Sequence, residues 1–505
     1  VKGEAKPRDP FVFWISAAVI SLLVVWGALS PQSLASKATA IYDFTASAFG
    51  WFYLISVVFF VLFCFFLAIS RSGKVRLGKD DDRPEYSFFT WIGMLFSAGF
   101  GVGLVFWGVA EPMTHFFDPP MDLESQTPEA AQMALRYSFF HWGVHQWSVF
   151  TVVGLAIAYF QFRKRKPSLI SNTFTPLIGE RNHVPLRKTI DILAVIATVM
   201  GVATSLGMGI LQINGGLNHV FTVPNNTTAQ LTITGILLIL YLGSSTSGLN
   251  RGIKWLSNIN LTLALGLMLF VLFTGPTIFI LNTFTQGVGG YIQHFIEMSF
   301  RLSPFKGGSD WVREWTIFYW AWVIAWSPFV GSFVARVSKG RTIREFVLGV
   351  LIVPPLIAVI WLAIFGGSAL HLDLFQHTTI GEIVQQDVTR ALFSLYEYFP
   401  FSYLLSLLSI LLIFTFLITS ADSATFVLGM MTENGDLNPP MISKVIWGVL
   451  IAAISAVLIV SSGLQGLQTA SLVAALPFTV ILLFICLSLL RSLRQDRRNL
   501  KQQRG

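Results

Sequence analysis

Twelve predominantly apolar runs, separated by short polar segments, dominate the chain: 12–30, 50–70, 88–110, 132–162, 189–213, 229–245, 256–280, 315–336, 346–367, 402–430, 442–462 and 470–490. Each approaches or exceeds the ~20 residues an α-helix needs to cross a bilayer's hydrocarbon core. The pattern predicts an all-α integral membrane protein with twelve transmembrane helices, called spans 1–12 below. The first run is long enough to span and lacks a small-residue cleavage site, so it is expected as a retained helix.

The polar segments give an independent reading of topology. With both termini in the cytoplasm, 28 of the 34 Lys and Arg fall on the inner side, the bias expected of an even number of spans. The six left outside are Lys37, Arg136, Arg301, Lys306, Arg313 and Arg390, and half of them lie in one long connection, 281–314. That connection holds an amphipathic stretch, Ile292, Phe295, Ile296 and Phe300, expected to lie along the outer interface. The divisions that follow are a cytoplasmic tail 1–11, two additional helices in 12–87, a block of five spans in 88–280, the connection 281–314, a second block of five in 315–490 and a basic cytoplasmic tail 491–505.

Composition narrows the class. Of 505 residues, 54% are apolar, 14% aromatic and 12% charged, about half the usual charged share of a soluble chain. Mean hydropathy is +0.66. A soluble enzyme, a disordered scaffold and a secreted disulfide framework are excluded. The net charge of +8 comes from basic residues clustered between apolar runs, as membrane topology produces, and no nucleic-acid partner is expected. Cys64 and Cys486 sit inside apolar runs without neighbouring His or Cys, suggesting neither a bridge nor a chelated metal.

Helix breakers at mid-span mark cavities, because backbone groups in hydrocarbon must be hydrogen-bonded within the chain. Span 3 carries Ser97-Ala98-Gly99-Phe100-Gly101-Val102-Gly103, whose alternate glycines unwind easily and offer bare carbonyls to a cation; close helix–helix contact is the competing use of such small residues. Span 8 carries Trp326-Ser327-Pro328-Phe329-Val330-Gly331, where Pro328 removes a donor. Spans 3 and 8 are five apart. Two five-span repeats, each opening on an interrupted helix, would have inverted topology, the pointer to a secondary transporter with a mid-membrane site. A channel or a membrane-embedded enzyme is the alternative class.

Aromatic residues concentrate at the same places. Span 4 reads Phe139-Phe140-His141-Trp142-Gly143-Val144-His145-Gln146-Trp147-Ser148-Val149-Phe150, and span 8 has Trp315, Trp320, Trp322 and Trp326. Singly, each Trp is interfacial belt or packing; clustered on two helices they suit a cage for a cation with no hydrogen to donate, such as a quaternary ammonium. Asp422 lies in the polar island Thr419-Ser420-Ala421-Asp422-Ser423 of span 10. The hydroxyls of Thr419 and Ser420 suit Na⁺, a hard ion, although such hydroxyls also bond back to their own helix. Glu111, beside Pro112, and Asp191 are ionisable residues at span ends and so functional candidates, with a place near the headgroups as the alternative, and His141 with His145 lacks a third metal ligand. No Gly-rich Lys-Ser/Thr phosphate loop is present, so energy must come from an ion gradient rather than ATP.

These residues resemble a known family. Gly99-Phe100-Gly101-Val102-Gly103 with Phe106-Trp107-Gly108 and Glu111-Pro112, the Phe140-His141-Trp142-Gly143 run with Trp147, Phe318-Tyr319-Trp320-Ala321-Trp322 leading to Ala335-Arg336 and Gly340-Arg341-Thr342, and the Thr419–Ser423 island are similar to the betaine/choline/carnitine transporters over roughly 10–490. The resemblance is to the bacterial glycine-betaine, osmoprotectant-uptake branch. It implies a LeuT-like 5+5 inverted repeat preceded by two extra helices, a homotrimer, and a bacterial inner-membrane location. It implies Trp142, Trp147 and Phe150 with Val323 as the aromatic box, joined in this reading by Trp320, Trp322, Trp326, Phe100, Gly101 and Gly103. It implies Na⁺ as coupling ion at the carbonyls near Ser97 and Phe100, with Phe416, Thr419 and Ser420 opposite, and a second Na⁺ near Thr204 and Ser205.

Departures from the family pattern carry information. The glycine motif is usually Gly-Met-Gly-Ile-Gly; here Phe100 and Val102 replace Met and Ile. Gly103 stands where proton-coupled choline carriers have Asp, and Asn260 where sodium-independent carnitine antiporters have Arg; both favour sodium. Phe150 and Val323 replace the usual Tyr and Trp of the box, and one lost aromatic face costs ~1–2 kcal/mol, or about tenfold in affinity. Glycine betaine is the first expectation for the substrate, with ectoine, proline, choline or carnitine, or substrate/product exchange, as alternatives. No covalent cofactor is expected. The basic residues Arg491, Arg494, Arg497, Arg498, Lys501 and Arg504 read as a positive-inside flank able to meet anionic lipid.

Overall fold

The computed structural model describes residues 10–179, 183–247, 250–306 and 310–502, so most of the N-terminal tail, including Lys2, Lys6 and Arg8, and Arg504 at the other end lie outside the described residues. Among the described residues the fold is all helical, apart from an isolated bridge between Arg76 and Thr342. Eleven helices are long and apolar enough to cross a membrane, and the pair Phe88–Gly99 and Val102–Phe117, bent by 57°, supplies a twelfth span. Spans 1 and 2 are Pro10–Leu29 and Pro31–Ile69, and span 5 is Val184–Phe221. Spans 6 and 7 are Thr227–Ser247 and Asn250–Thr274, and spans 9–12 are Ile343–Gln376, Ser402–Thr432, Met441–Ser462 and Leu464–Gln502.

Burial separates inner from outer helices. The apolar window of span 4 is 94% buried and those of spans 5 and 8 are 78%, whereas spans 6 and 7 reach only 22% and 28%. Spans 4, 5 and 8 therefore form the centre and spans 6 and 7 present apolar faces outward. Small residues let the central backbones touch, the usual device of membrane helices. A Cβ on Gly154 of span 4 would lie 3.1 Å from the Gly331 carbonyl oxygen of span 8, and one on Gly201 of span 5 would lie 2.7 Å from the Trp326 backbone.

Two breaks differ from the sequence expectation. Span 8 is not interrupted at Pro328: the helix runs unbroken over Phe318–Val337. Proline frees the carbonyl four residues back, that of Ile324, and Ser327 Oγ donates to it at 2.7 Å, so the ladder loses a donor without leaving an orphan acceptor. The irregularity in span 8 sits earlier, as a wide turn over Arg313–Ile317. Span 4, expected continuous, breaks at Gly143 (φ −86°, ψ −147°) between helices Pro128–Trp142 and Val144–Ala158. A Cβ there would lie 2.5 Å from the Phe139 oxygen and 2.7 Å from the Tyr291 hydroxyl, so only glycine fits.

The connection after span 7 begins at Gly275-Pro276 and is mostly helical, Thr277–Gln293 and Phe295–Ser299. Ile292, Ile296 and Phe300 are exposed as an interfacial face requires, but Phe295 turns inward against the His145 ring, 4.4 Å between centroids. On the opposite side of the molecule the turn Ser338–Arg341 hooks the loop between spans 2 and 3. Gly340, at φ +80°, donates its N–H to the Leu77 carbonyl at 2.8 Å, and Arg341 lies over the Trp91 ring at 4.7 Å while donating to the Tyr86 carbonyl. This fixes the entry of span 3, the helix that breaks at the site. Residues 491–502 prolong the helix of span 12, and Asp496 on that extension accepts from Tyr159 at 2.7 Å, from Arg163 at 3.2 Å and from Lys164.

Candidate functional site

Helix Phe88–Gly99 ends because Phe100 and Gly101 take extended backbone (ψ 130° and 168°), and a new helix starts at Val102. The last carbonyls of the first half and the first N–H groups of the second have no partner within their own helix. A cavity lies against this break. Ala98, Gly99, Gly101, Gly103 and Leu104 of span 3 form one wall; Trp142, Gln146, Trp147 and Phe150 of span 4 and Trp326 and Val330 of span 8 form the others. About 20 Å³ is open to the centre of a water molecule, roughly one water's worth, so a larger guest needs the rings to part.

The rings are arranged edge to face. Trp147 and Phe150 have centroids 5.1 Å apart at 75°, Phe150 and Trp326 5.9 Å at 81°. Trp322 stacks on Trp326 at 5.7 Å and 6° and meets Trp142 edge-on at 6.1 Å. Of the expected substrate residues, the structure brings Trp142, Trp147, Phe150, Trp326, Gly101 and Gly103 together at the cavity, with Trp322 behind Gly103 and Trp326. Trp320, Phe100 and Val323 do not line it. Trp320 stacks on His145 (5.7 Å, 19°) and packs on Phe140, because it is two residues, about 200°, around the helix from Trp322. The Phe100 ring packs on Trp361 at 5.5 Å, and Val323 is fully buried among the helices.

Behind Trp142 lies a polar centre. Glu111 is fully buried, not at the headgroups, because span 3 continues to Phe117 rather than ending near 110. Its carboxylate accepts from Trp142 Nε1 at 2.8 Å, Tyr319 Oη at 2.5 Å, His141 Nδ1 at 2.6 Å and His115 Nε2 at 3.2 Å. With Nδ1 donating, His141 Nε2 accepts from the Thr316 hydroxyl at 2.9 Å. Glu111, His115 and His141 place possible metal-ligating atoms within 4.8 Å of one another; Glu111 already accepts from both rings, His115 Nδ1 is buried without a partner, and the geometry is that of an anchored anion. His141 and His145 do not converge: His145 faces the Ser299 hydroxyl at 2.7 Å and Tyr291 at 3.3 Å. Asp191 is buried and accepts the Ser171 N–H at 2.9 Å.

The expected sodium residues are distributed as follows. Ser97 is in the last turn of the first half of span 3, and Phe100 contributes its carbonyl within the break. Opposite, Thr419 Oγ1 lies 3.0 Å from the Phe416 oxygen of its own helix and receives Asn260 Nδ2 at 3.5 Å, while Asn260 Oδ1 is buried without a partner. Ser420 is one residue on and half-buried. Among the described residues no hydrogen bond joins these two groups. Thr204 Oγ1 lies 2.9 Å from the Leu467 carbonyl and 2.7 Å from Ser471 Oγ of span 12, and Ser205 bonds back to Gly201. Asp422 faces Ser244 and Ser245 of span 6, with Lys444 near, and so organises that end of span 10. Sequence reasoning missed Gln146 as a member of the site and did not join Glu111 to it; both are polar residues within apolar spans, the signal that could have found them.

A many-span helical membrane protein whose broken span and aromatic walls enclose a small guest cavity belongs, as a class, among membrane transporters. Residues 11–498 match the model of the BCCT, betaine/carnitine/choline family transporter, and the chain belongs to that family. It is 57% identical over 98% of both chains to the ectoine/hydroxyectoine transporter of Virgibacillus pantothenticus. It is 49% identical to the glycine betaine transporter OpuD of Bacillus subtilis, over 97% of this chain and 96% of that one, and 39% identical to the osmo-independent choline transporter BetT1 of Acinetobacter baylyi, over 97% and 94%. These relatives are named transporters, not enzymes, and the chain is a multi-pass membrane transporter of the betaine/carnitine/choline family.

Proposed function

We propose that this protein imports a compact zwitterionic compatible solute, glycine betaine or ectoine, across the bacterial cell membrane for osmoprotection, driven by Na⁺ and by alternating access of a LeuT-like inverted repeat. The observation that carries this reading is the cavity's double character. The start of helix Val102–Phe117, with Gly101 as its N-cap, borders it, and a helix N-terminus attracts a carboxylate by ~0.3–1 kcal/mol at an exposed site and more when desolvated. Across from it stand the rings of Trp142, Trp147, Phe150 and Trp326, of a kind whose faces attract a cation by ~0.5–2 kcal/mol. One end suits each charge of a zwitterion. Replacing Trp147 with alanine is expected to raise the apparent solute constant about tenfold at fixed Na⁺; unchanged kinetics would remove that ring from the site.

Sodium coupling is supported by oxygen chemistry. The carbonyl end of helix Phe88–Gly99 carries partial negative charge and free acceptors, and with Phe416, Thr419 and Ser420 it offers the hard ligands Na⁺ prefers. Thr204 and Ser205 are the candidates for a second ion. The double variant Thr419→Ala, Ser420→Ala is expected to raise the Na⁺ concentration for half-maximal uptake about tenfold or more, with a smaller change in the solute constant at saturating Na⁺. An intact sodium curve would move the ion elsewhere. Both termini are assigned to the cytoplasm, with Arg491, Arg494 and Arg498 exposed on the span 12 extension toward anionic lipid, and the family resemblance favours a homotrimer.

A further inference from the structure

Among the described residues, Gln146 is the one in the cavity wall whose side chain can accept a hydrogen bond; the rest of the lining is glycine, aliphatic, phenylalanine or indole. It sits in the first turn of helix Val144–Ala158, set there by the break at Gly143, one residue before Trp147. Only 2% of it is exposed, and its Oε1 is buried with no hydrogen-bond partner. Buried acceptors are almost always paired, and leaving one unmade costs its full desolvation. Gln146 lines the guest cavity, and a half-turn of its amide about χ3 brings the orphan oxygen to face a guest, where a donor on that guest resolves it most simply.

The aromatic walls attract any cation, but they do not distinguish a quaternary ammonium from one that carries hydrogen. Gln146 does. A trimethylammonium group has no N–H and covers the amide oxygen without pairing it. An amidinium, or a secondary or tertiary ammonium, donates to it. Sites built to hydrogen-bond a group discriminate strongly against analogues that lack it, because the site's own polar atom is then stranded.

We propose that Gln146 Oε1 is the specificity-determining acceptor of this transporter and that it selects zwitterions whose cationic group bears N–H over fully methylated ones. The inference rests on the reading of this cavity as the solute site. It makes cyclic amidine solutes such as ectoine, and imino acids, better guests than glycine betaine.

The direct test is a competition series on one scaffold with the wild-type protein. N,N-dimethylglycine and glycine betaine differ by one methyl group in place of one N–H, and each competes against labelled ectoine uptake in proteoliposomes. Dimethylglycine is expected to compete at least tenfold better; equal or weaker competition overturns the proposal. Gln146→Leu keeps the volume and removes the acceptor. It is expected to lower ectoine affinity at least tenfold more than glycine betaine affinity, and so collapse the preference. A preference retained in Gln146→Leu overturns the proposal even where total uptake falls, and Gln146→Glu, which restores an acceptor, is expected to recover it. If none of these solutes competes or is taken up, the solute-site reading fails and this inference with it. If they compete without regard to N–H, only the role of Gln146 fails.

Discussion

Alanine at Gly103 is expected to reduce uptake about a hundredfold at normal membrane abundance. A Cβ at this position would lie 2.4 Å from Trp322 Cη2, 3.1 Å from Trp322 Cζ2 and 3.3 Å from Trp142 Cη2. Trp322 has nowhere to go: it is fully buried and stacked between Phe318, 5.9 Å away at 1°, and Trp326, 5.7 Å away at 6°. The ring must therefore push into Trp142 or Trp326, both cavity walls. Overpacking of this kind costs ~1–3 kcal/mol, and here the strain falls on the rings that hold the guest. Uptake rates normalised to protein in the membrane check this; a wild-type rate for Gly103→Ala would show that the rings are free to part without loss.

Glu111→Gln is expected to show the second largest effect, on stability and solute affinity together. The carboxylate gathers donors from Trp142, Tyr319, His141 and His115 at full burial. An amide keeps one acceptor and turns an N–H toward groups that also donate, so at least two charged hydrogen bonds are lost, each worth ~1.5–3 kcal/mol. Breaking a buried charge network typically costs ~3–5 kcal/mol. Thermal unfolding in detergent is expected to shift down by several degrees, and the solute constant to rise because the Trp142 indole loses its anchor. If neither the transition temperature nor the solute constant moved, Glu111 would not be holding the cavity wall.

The span pattern was legible because a bilayer imposes one length and one polarity on every crossing segment, and the break at Gly99–Gly103 because three alternate glycines each weaken a helix. Trp147, Phe150 and Trp326 were legible from clustering. What the pattern concealed depends on partners distant in the chain. Pro328 reads as a break, yet Ser327 satisfies the carbonyl it frees. Gly143 reads as an ordinary small residue until Tyr291, from the connection after span 7, is seen filling the space a side chain would need. Trp320 and Trp322 look equivalent in sequence, but only helix rotation relative to spans 3 and 4 decides which one stands by the cavity. Glu111 beside Pro112 mimics a helix end, and its burial rests on His141, Trp142 and Tyr319 arriving from two other spans.

Sodium-driven import is tested most directly by solute uptake into proteoliposomes holding the purified protein, with an inward gradient of Na⁺, K⁺ or H⁺ imposed in turn. Accumulation of ectoine or glycine betaine above equilibrium is expected with Na⁺ alone, abolished when the Na⁺ gradient is collapsed. Equal uptake under all three gradients, or uptake that requires solute preloaded inside, would contradict it.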